Sequence, residues 1–382
     1  MKIVVAIDSL KGSLSSLEAG QAIREGALRV DPQAEVAVRP LADGGEGTVE
    51  ALVAGMNGTR CQVLVTGPMS EPVECTYGIL PDGQTAVVEM AGAAGITLVD
   101  PDRRDPMRAT TYGVGEVLRD AIGRGCRRFL VGIGGSATND GGVGMLQALG
   151  YEFLDGSGQP IAPGAAGLAE LRTIRTDHVL PQLAQCSFKI ACDVVNPLCG
   201  PQGCSAVYGP QKGATPAMIE KMDDWLNRYA VLAARLCPGK ADPDHPGAGA
   251  AGGMGFAFLA FTNAVLESGI DIVLAETALA SYVRDADLVV TGEGRLDGQT
   301  AMGKAPVGVA RLAKQYGKPV VAFAGSVTPD AVACNEVGID AFFPILRGVS
   351  TLEEAMAPDN ARRNLTDTAE QVFRLWKAVG KR

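Results

Sequence analysis

Residues able to do chemistry gather in glycine-rich stretches that follow apolar runs. In FLVGIGGSATNDGGVGMLQALG, the apolar run at 129–131 ends in a glycine-rich turn, and Val143, Leu146 and Leu149 then resume at helical spacing. This pattern predicts strand, loop and helix. Backbone N–H groups at a helix N-terminus stabilise an anion, and Ser136, Thr138, Asn139 and Asp140 add side-chain ligands there. A phosphate or a metal-phosphate fits such a loop.

Six further stretches carry similar groups. In DSLKGSLS, Asp8 closes the run at 2–7 and precedes Lys11, Gly12 and Ser13, which can hold a metal-phosphate with the lysine as a point charge. An N-cap beside a solvated lysine would read the same way. In ADGGEGT, Asp43 and Glu46 stand among three glycines before a helix. They are either caps or ligand contacts, since glycine lets a ligand approach the backbone. Asp193 ends the apolar run at 188–192, a position that resembles metal-binding ones in phosphoryl-transfer enzymes, and Lys212 in YGPQKGA is a phosphate partner or a solvated cation. The run PGAGAAGGMG, with Gly252 and Gly253, abuts an apolar helix at 256–266 and reads as a close-packing or anion-binding loop. Finally, Glu293, Arg295 and Asp297 follow the run at 288–292 directly, on the edge where open α/β sheets bind ligands. A surface ion-pair network is the alternative there.

Other chemistries fit less well. Only His178 and His245 are present, both in loop-like surroundings, and a Ser-His-Asp or Cys-His engine would need one of them, so chemistry based on carboxylates, lysine and a bound metal fits better. Nine cysteines without a C-x-x-C pair read as reduced thiols rather than a zinc site. Gly132-x-Gly134-x-x-Ala137 with Asp155 imitates a dinucleotide fingerprint, yet Asp140 would repel the pyrophosphate unless a metal intervened. GQTAMGK at 298–304 is a P-loop near miss, because Ala305 stands where a magnesium-binding hydroxyl belongs.

These loops need a scaffold. At 382 residues and 47% hydrophobic content, two cores are expected. Runs at 2–7, 35–41, 270–274, 288–292, 319–324 and 341–346 alternate with helical patterns, which predicts an α/β domain with a parallel six-stranded sheet built from both chain ends, 1–60 and 266–382. Hairpin-length connections after Gln62 predict antiparallel pairing, so 61–265 is expected to be an inserted α/β domain with a mixed sheet. A net charge of −9 and pI near 5.0 argue against nucleic-acid or anionic-membrane partners. With no signal-like or membrane-spanning run, a soluble cytoplasmic protein is expected. Homo-oligomerisation is compatible with the sequence and not fixed by it.

Together, DSLKGSLS, PLADGGEGT, GIGGSATNDGGVGMLQALG, ACDVVNPLCG, YGPQKGA, PGAGAAGGMG and TGEGRLDGQT followed by GK resemble bacterial glycerate kinase of the kind unrelated to protein kinases and to the P-loop fold. Their order looks collinear with that family over essentially the whole chain. Leu10, where an aromatic is common, and Gly298, where a serine is common, depart from the pattern. The resemblance implies ATP-dependent, magnesium-assisted phosphorylation of D-glycerate to 2-phosphoglycerate, by a Rossmann-like domain interrupted by a second α/β domain, with the site in the cleft. The polar groups of those loops then assign Lys11 and Lys212 to phosphate charge, and the backbone at 134–138 to a phosphate cradle, in roles that are interchangeable at the level of sequence. Gly134, Gly135, Ser136, Thr138, Asn139, Gly252 and Gly253 become nucleotide contacts. Asp193 or Asp140 would hold magnesium, and Arg295, whose planar fork suits bidentate pairing, the glycerate carboxylate. Ser9, Glu46, Glu293 and Asp297 would contact substrate, and Asp8 or Asp43 would act as base. A nicotinamide-dependent oxidoreductase of a small hydroxy acid and a non-catalytic two-domain binding protein are the competing classes.

Overall fold

The computed structural model describes residues 1–42 and 47–380, so Asp43 and Glu46 lie outside the described residues. The strands are β1 (Lys2–Val5), β2 (Glu35–Val38), β3 (Thr59–Thr66), β4 (Pro72–Ile79), β5 (Thr85–Glu89), β6 (Arg128–Gly132), β7 (Glu152–Leu154), β8 (Thr173–Arg175), β9 (Ser187–Ala191), β10 (Ala264–Glu267), β11 (Leu288–Leu296), β12 (Val320–Val327) and β13 (Ala341–Pro344). The chain divides into two compact units.

One unit comprises Met1–Asp43, Glu50–Met56 and Ile270–Arg382. Its sheet has five strands, all parallel, in the order β13-β12-β11-β1-β2. From β1 the chain steps to β2 on one side, whereas β11, β12 and β13 extend on the other. That reversal leaves a crevice outside the carboxyl ends of β1 and β11, where open α/β sheets take ligands. Val5, Val290 and Phe323 from the sheet and Ile7 just beyond β1 meet Ile23, Leu365 and Phe373 from the helices Ser16–Val30 and Pro358–Val379 in one core. The two helices touch at Gly26, where a Cβ would stand 2.6 Å from the Thr366 carbonyl oxygen.

The expected sixth strand at 270–274 is a helix, Gly269–Glu276. A short apolar run does not reveal its own period. Ile270, Ile272 and Val273 are buried by a helical face instead, and Ile270 closes on Gly308, where a Cβ would lie 2.5 Å away.

The loop that follows β1 is pinned before any ligand arrives. Ser15 and Glu18 form a capping box on the helix Ser16–Val30. The Ser16 hydroxyl donates to the Ile7 carbonyl oxygen at 2.6 Å and accepts from the Leu41 amide at 2.7 Å, joining the chain beyond β1 to the chain beyond β2. Ser16→Ala strands two buried backbone groups and is expected to cost about 2 kcal/mol. Urea unfolding followed through Trp376 fluorescence in a Trp225→Phe background checks it: a lower midpoint at unchanged m is expected.

The second unit comprises Gly44–Val49 and Asn57–Gly269. Its six-stranded sheet runs β10-β9-β6-β5-β4-β3, parallel from β10 to β5 and antiparallel from β5 to β3, and β7 and β8 form a separate antiparallel ribbon. Phe129 and Phe188 stack at 4.8 Å in a core that also holds Tyr229, Phe256 and Phe258. The apolar helix expected at 256–266 lies within Ala250–Phe261, which is kinked by left-handed backbone at 251–253, and the expected tail is the strand β10. Thr262 closes that helix, its hydroxyl donating back to the Phe258 carbonyl oxygen at 2.6 Å. Among the described residues, no helix is long and apolar enough to cross a membrane.

Candidate active site

At the β1/β11 reversal lies a cavity of about 420 Å³. Asp8, Ser9, Lys11 and Ser13 line it from the loop after β1, Glu293, Arg295 and Asp297 from β11 and the turn after it, Lys304 from the next helix start, and Ser326 from β12. Leu346, Leu352 and Met356 supply an apolar wall. The strand ends are held by backbone: the Asp8 amide donates to the Gly292 carbonyl oxygen at 2.9 Å. Gly292 has φ +151°, and a Cβ on it would lie 1.9 Å from the Phe323 carbonyl oxygen, so no side chain fits between β11 and β12 there.

Each polar group in this pocket has a distinct environment. Asp8 is buried and accepts the Ser9 amide on Oδ1 at 2.7 Å. Glu293 accepts the Thr300 hydroxyl on Oε1 at 2.5 Å. Burial pushes its carboxyl above the usual 4.5, against the Thr300 hydrogen bond and the nearby Lys304 and Lys11 charges. Asp297 accepts the Gln299 and Thr300 amides on Oδ1, and lies 3.6 Å from Lys304 Nζ and 3.8 Å from Arg295 Nε. The Arg295 side chain is 65% exposed, so that ion pair holds it weakly. Its terminal nitrogens find no hydrogen-bond acceptor among the described residues, leaving the planar fork available for an incoming carboxylate.

In the second unit the loop at 133–142 leaves the carboxyl end of β6, and Asp193 leaves the carboxyl end of the neighbouring β9. Both therefore share one sheet edge. Gly134 and Gly135 are exposed, while Ser136, Thr138, Asn139 and Asp140 are buried. Lys212 is only 2% exposed, its Nζ donating to Ser136 Oγ at 2.7 Å and to the Thr138 carbonyl oxygen at 2.6 Å. Asn139 Nδ2 donates to Ser205 Oγ at 2.8 Å. Asn139 Oδ1 and Thr138 Oγ1 are buried with no partner among the described residues. Asp193 is exposed, and its Oδ1 accepts the Gly269 amide at 3.1 Å.

Burial lowers the Lys212 ammonium from 10.5 to about 8, against the pull of Cys204 and Asp140. Between those values the unfolded chain holds the proton and the native protein releases it. The cost of burying the charge is thus present in full below pH 8 and is relieved as pH rises toward 10.5. Urea titrations at several pH values are expected to show this upward contribution to stability, and Lys212→Met is expected to abolish it.

Two assignments change character. Asp140, read from sequence as a magnesium ligand, is 1% exposed, and its oxygens are engaged by this chain: Thr111 donates to Oδ2 through its amide and hydroxyl, both at 2.8 Å, and the Gly142 and Gly144 amides add bonds at 3.1 and 3.3 Å. The N-terminus of the short helix Val143–Ala148, where a phosphate was expected, is thereby capped from within. Gly252 and Gly253, read as nucleotide contacts, are buried packing elements: with φ +67° and +93°, their Cβ atoms would stand 2.1 Å from the Thr138 carbonyl oxygen and 2.8 Å from Gly141 Cα. They bring the backbone against the 138–141 turn, and the Gly141 amide bonds the Gly252 carbonyl oxygen at 2.9 Å.

Several residues escaped the sequence reading. Thr300 and Lys304 lie inside GQTAMGK, a string set aside as an incomplete P-loop, and their types were signal enough for a pocket role. Glu89 ends β5 opposite Gly132, visible in sequence as another acid closing an apolar strand, and Ser205 reaches Asn139 only through the fold.

The glycerate kinase family model matches residues 3–377. A glycerate kinase of Haemophilus influenzae is 48% identical over 375 residues, covering 98% of each chain. A glycerate 2-kinase of Escherichia coli K12 is 47% identical over 373 residues, covering 96% of this chain and 98% of its own. A solved structure from Salmonella typhimurium LT2, provisionally designated glycerate kinase 2, covers 100% of both chains at 47% identity with a TM-score of 0.92.

Proposed function

The chain belongs to the glycerate kinase family, and we propose that it transfers the γ-phosphoryl group of ATP to the 2-hydroxyl of D-glycerate, giving 2-phosphoglycerate and ADP. The observation that carries the reading is the cavity at the β1/β11 reversal, which gathers Lys11, Arg295 and Lys304 with Asp8, Glu293 and Asp297. Such a site suits a small acid bearing hydroxyls. The 2-kinase designation of the Escherichia coli relative supports the regiochemistry.

Phosphoryl transfer asks the protein for positioning and charge rather than covalent help. Arg295 pairs with the glycerate carboxylate, Ser9 and Asp297 flank the substrate, and Asp8 orients its hydroxyls. Lys11 supplies positive charge toward the transferred group. In the second unit, the exposed Gly134 and Gly135 turn receives phosphate oxygens, with Ser136, Thr138 and Asn139 shaping the loop and Lys212 fixing it from below. The buried unpartnered oxygens of Thr138 and Asn139 mark a polar site able to accept a ligand or ordered water. On this reading 1–60 and 266–382 serve the hydroxy acid, and 61–265 the nucleotide.

Magnesium fits this donor set. Among the described residues no group of three or more His, Cys, Asp or Glu side chains is placed to hold a metal, and Mg²⁺ with a nucleotide needs only one or two carboxylates beside phosphates and waters. Asp193, exposed on the β9 edge, is the carboxylate to hold it. When bound, the ion supplies neutralisation of phosphate charge.

A coupled ADP-release assay tests the proposal. Turnover is expected to require D-glycerate, ATP and Mg²⁺ together. ADP formed only with another hydroxy acid would remove the substrate, and NAD(P)-linked oxidation without ATP would replace the reaction class.

A further inference from the structure

Glu293 and Arg295 stand two residues apart on β11, register partners of Ala324 and Ser326 on β12, and both line the cavity. Residues i and i+2 of a strand point to the same face, with Cα atoms about 6.6 Å apart. A three-carbon acid held by its carboxylate at Arg295 therefore presents its 2-hydroxyl toward Glu293. Glu293 is also oriented: Thr300, fully buried, donates to Oε1, while Oε2 has no hydrogen-bond donor among the described residues. A carboxylate in a pocket, with one oxygen fixed by a buried hydroxyl and the other open, has the arrangement of a general base with its orienting partner.

We propose that Glu293 accepts the proton of the glycerate 2-hydroxyl during transfer, with Thr300 as its positioning residue. The inference rests on the reading of this cavity as the hydroxy-acid site. As the O–H bond of the 2-hydroxyl breaks, its proton moves to Glu293 Oε2. The hydroxyl oxygen forms its bond to the γ-phosphorus, the bond from that phosphorus to the β,γ-bridging oxygen breaks, and the electron pair leaves with ADP. Glu293 then returns the proton to solvent.

The titratable and charged groups facing Glu293 are Lys11 and Asp8 from the loop after β1, Arg295 on its own strand, Asp297 and Lys304 from the following turn and helix start, and the Cys334 thiol, which burial keeps neutral, from the helix Ala333–Glu336. Burial outweighs the two lysines and raises the carboxyl. Because the base works deprotonated, kcat/KM is expected to fall on the acid side through a pKa above 4.5.

The experiment measures kcat, glycerate KM and the pH dependence of kcat/KM for wild type, Glu293→Gln, Thr300→Val, Thr300→Ser and Arg295→Ala, with urea midpoints to establish that each is folded. Glu293→Gln is expected to lower kcat by about 100-fold or more with little change in KM, and to remove the acid limb. Thr300→Val removes a bond that stabilises the carboxylate, so its limb is expected to move to higher pH, and Thr300→Ser to restore it. A Glu293→Gln enzyme that keeps kcat, loses only KM, or retains the acid limb overturns the proposal, as does an unmoved limb in Thr300→Val. If Arg295→Ala and Glu293→Gln both leave KM, kcat and limb at wild-type values, the cavity itself is not the hydroxy-acid site.

Discussion

Arg295→Ala is expected to raise the glycerate KM by about 10- to 100-fold, the loss of a charge-assisted bidentate pair of about 1.5–3 kcal/mol. In sequence Arg295 stands two residues beyond Glu293, directly after the apolar run at 288–292. In the fold β11 borders the strand-order reversal, and Asp297 approaches Arg295 at Nε, 3.8 Å away. The guanidinium therefore keeps its fork for the ligand. Arg295→Lys is expected to recover part of the loss, since an ammonium restores charge without the planar pair of donors. Steady-state kinetics with glycerate varied at saturating ATP checks both. An unchanged KM in Arg295→Ala would remove the carboxylate assignment.

Asp140→Ala is expected to destabilise the second unit by about 3 kcal/mol or more, because four donors around a buried carboxylate lose their acceptor at once. Thr111 would lose the bonds that hold the start of its helix to the 138–142 turn, and the Gly142 and Gly144 amides would be left without a cap. Trp225 packs against this unit's core, and with Trp376→Phe removing the only other indole, its fluorescence reports the unfolding midpoint there. Asp140→Asn is expected to fall between, retaining shape and one acceptor oxygen. A magnesium ligand would behave differently: Asp140→Asn would then fold like wild type and show a raised Mg²⁺ requirement instead.

What the sequence disclosed depended on how local each signal was. Parallel strands with both faces covered read as continuous apolar runs, so β1, β6, β9, β11 and β12 were visible, and hairpin turns announced the antiparallel half of the second sheet. The run at 270–274 misled because its length suits a strand, while the contact that takes up its helical face, Ile270 against Gly308, is distant in sequence. Strand β10 was hidden at the end of an apolar helix that Thr262 terminates.

Site residues followed the same logic. Asp8 and Lys11 follow β1, Glu293 and Arg295 stand on the last residues of β11 and Asp297 just beyond it, and the reversal between β1 and β11 brings them to one cavity. Burial could not be read the same way. Lys212 and Asp140 look like solvent-facing ligands in a glycine-rich string, and only the fold shows that both are enclosed, one tying Ser136 to Thr138, the other capping a helix. Gly252 and Gly253 look like an anion loop, although their positive φ serves a backbone contact with 138–141.

Phosphorus NMR of the reaction of D-glycerate with Mg-ATP tests the central claim most directly. Stoichiometric appearance of a 2-phosphoglycerate resonance with ADP is the result expected. A 3-phosphoglycerate resonance, or ATP left unchanged beside glycerate, would contradict it.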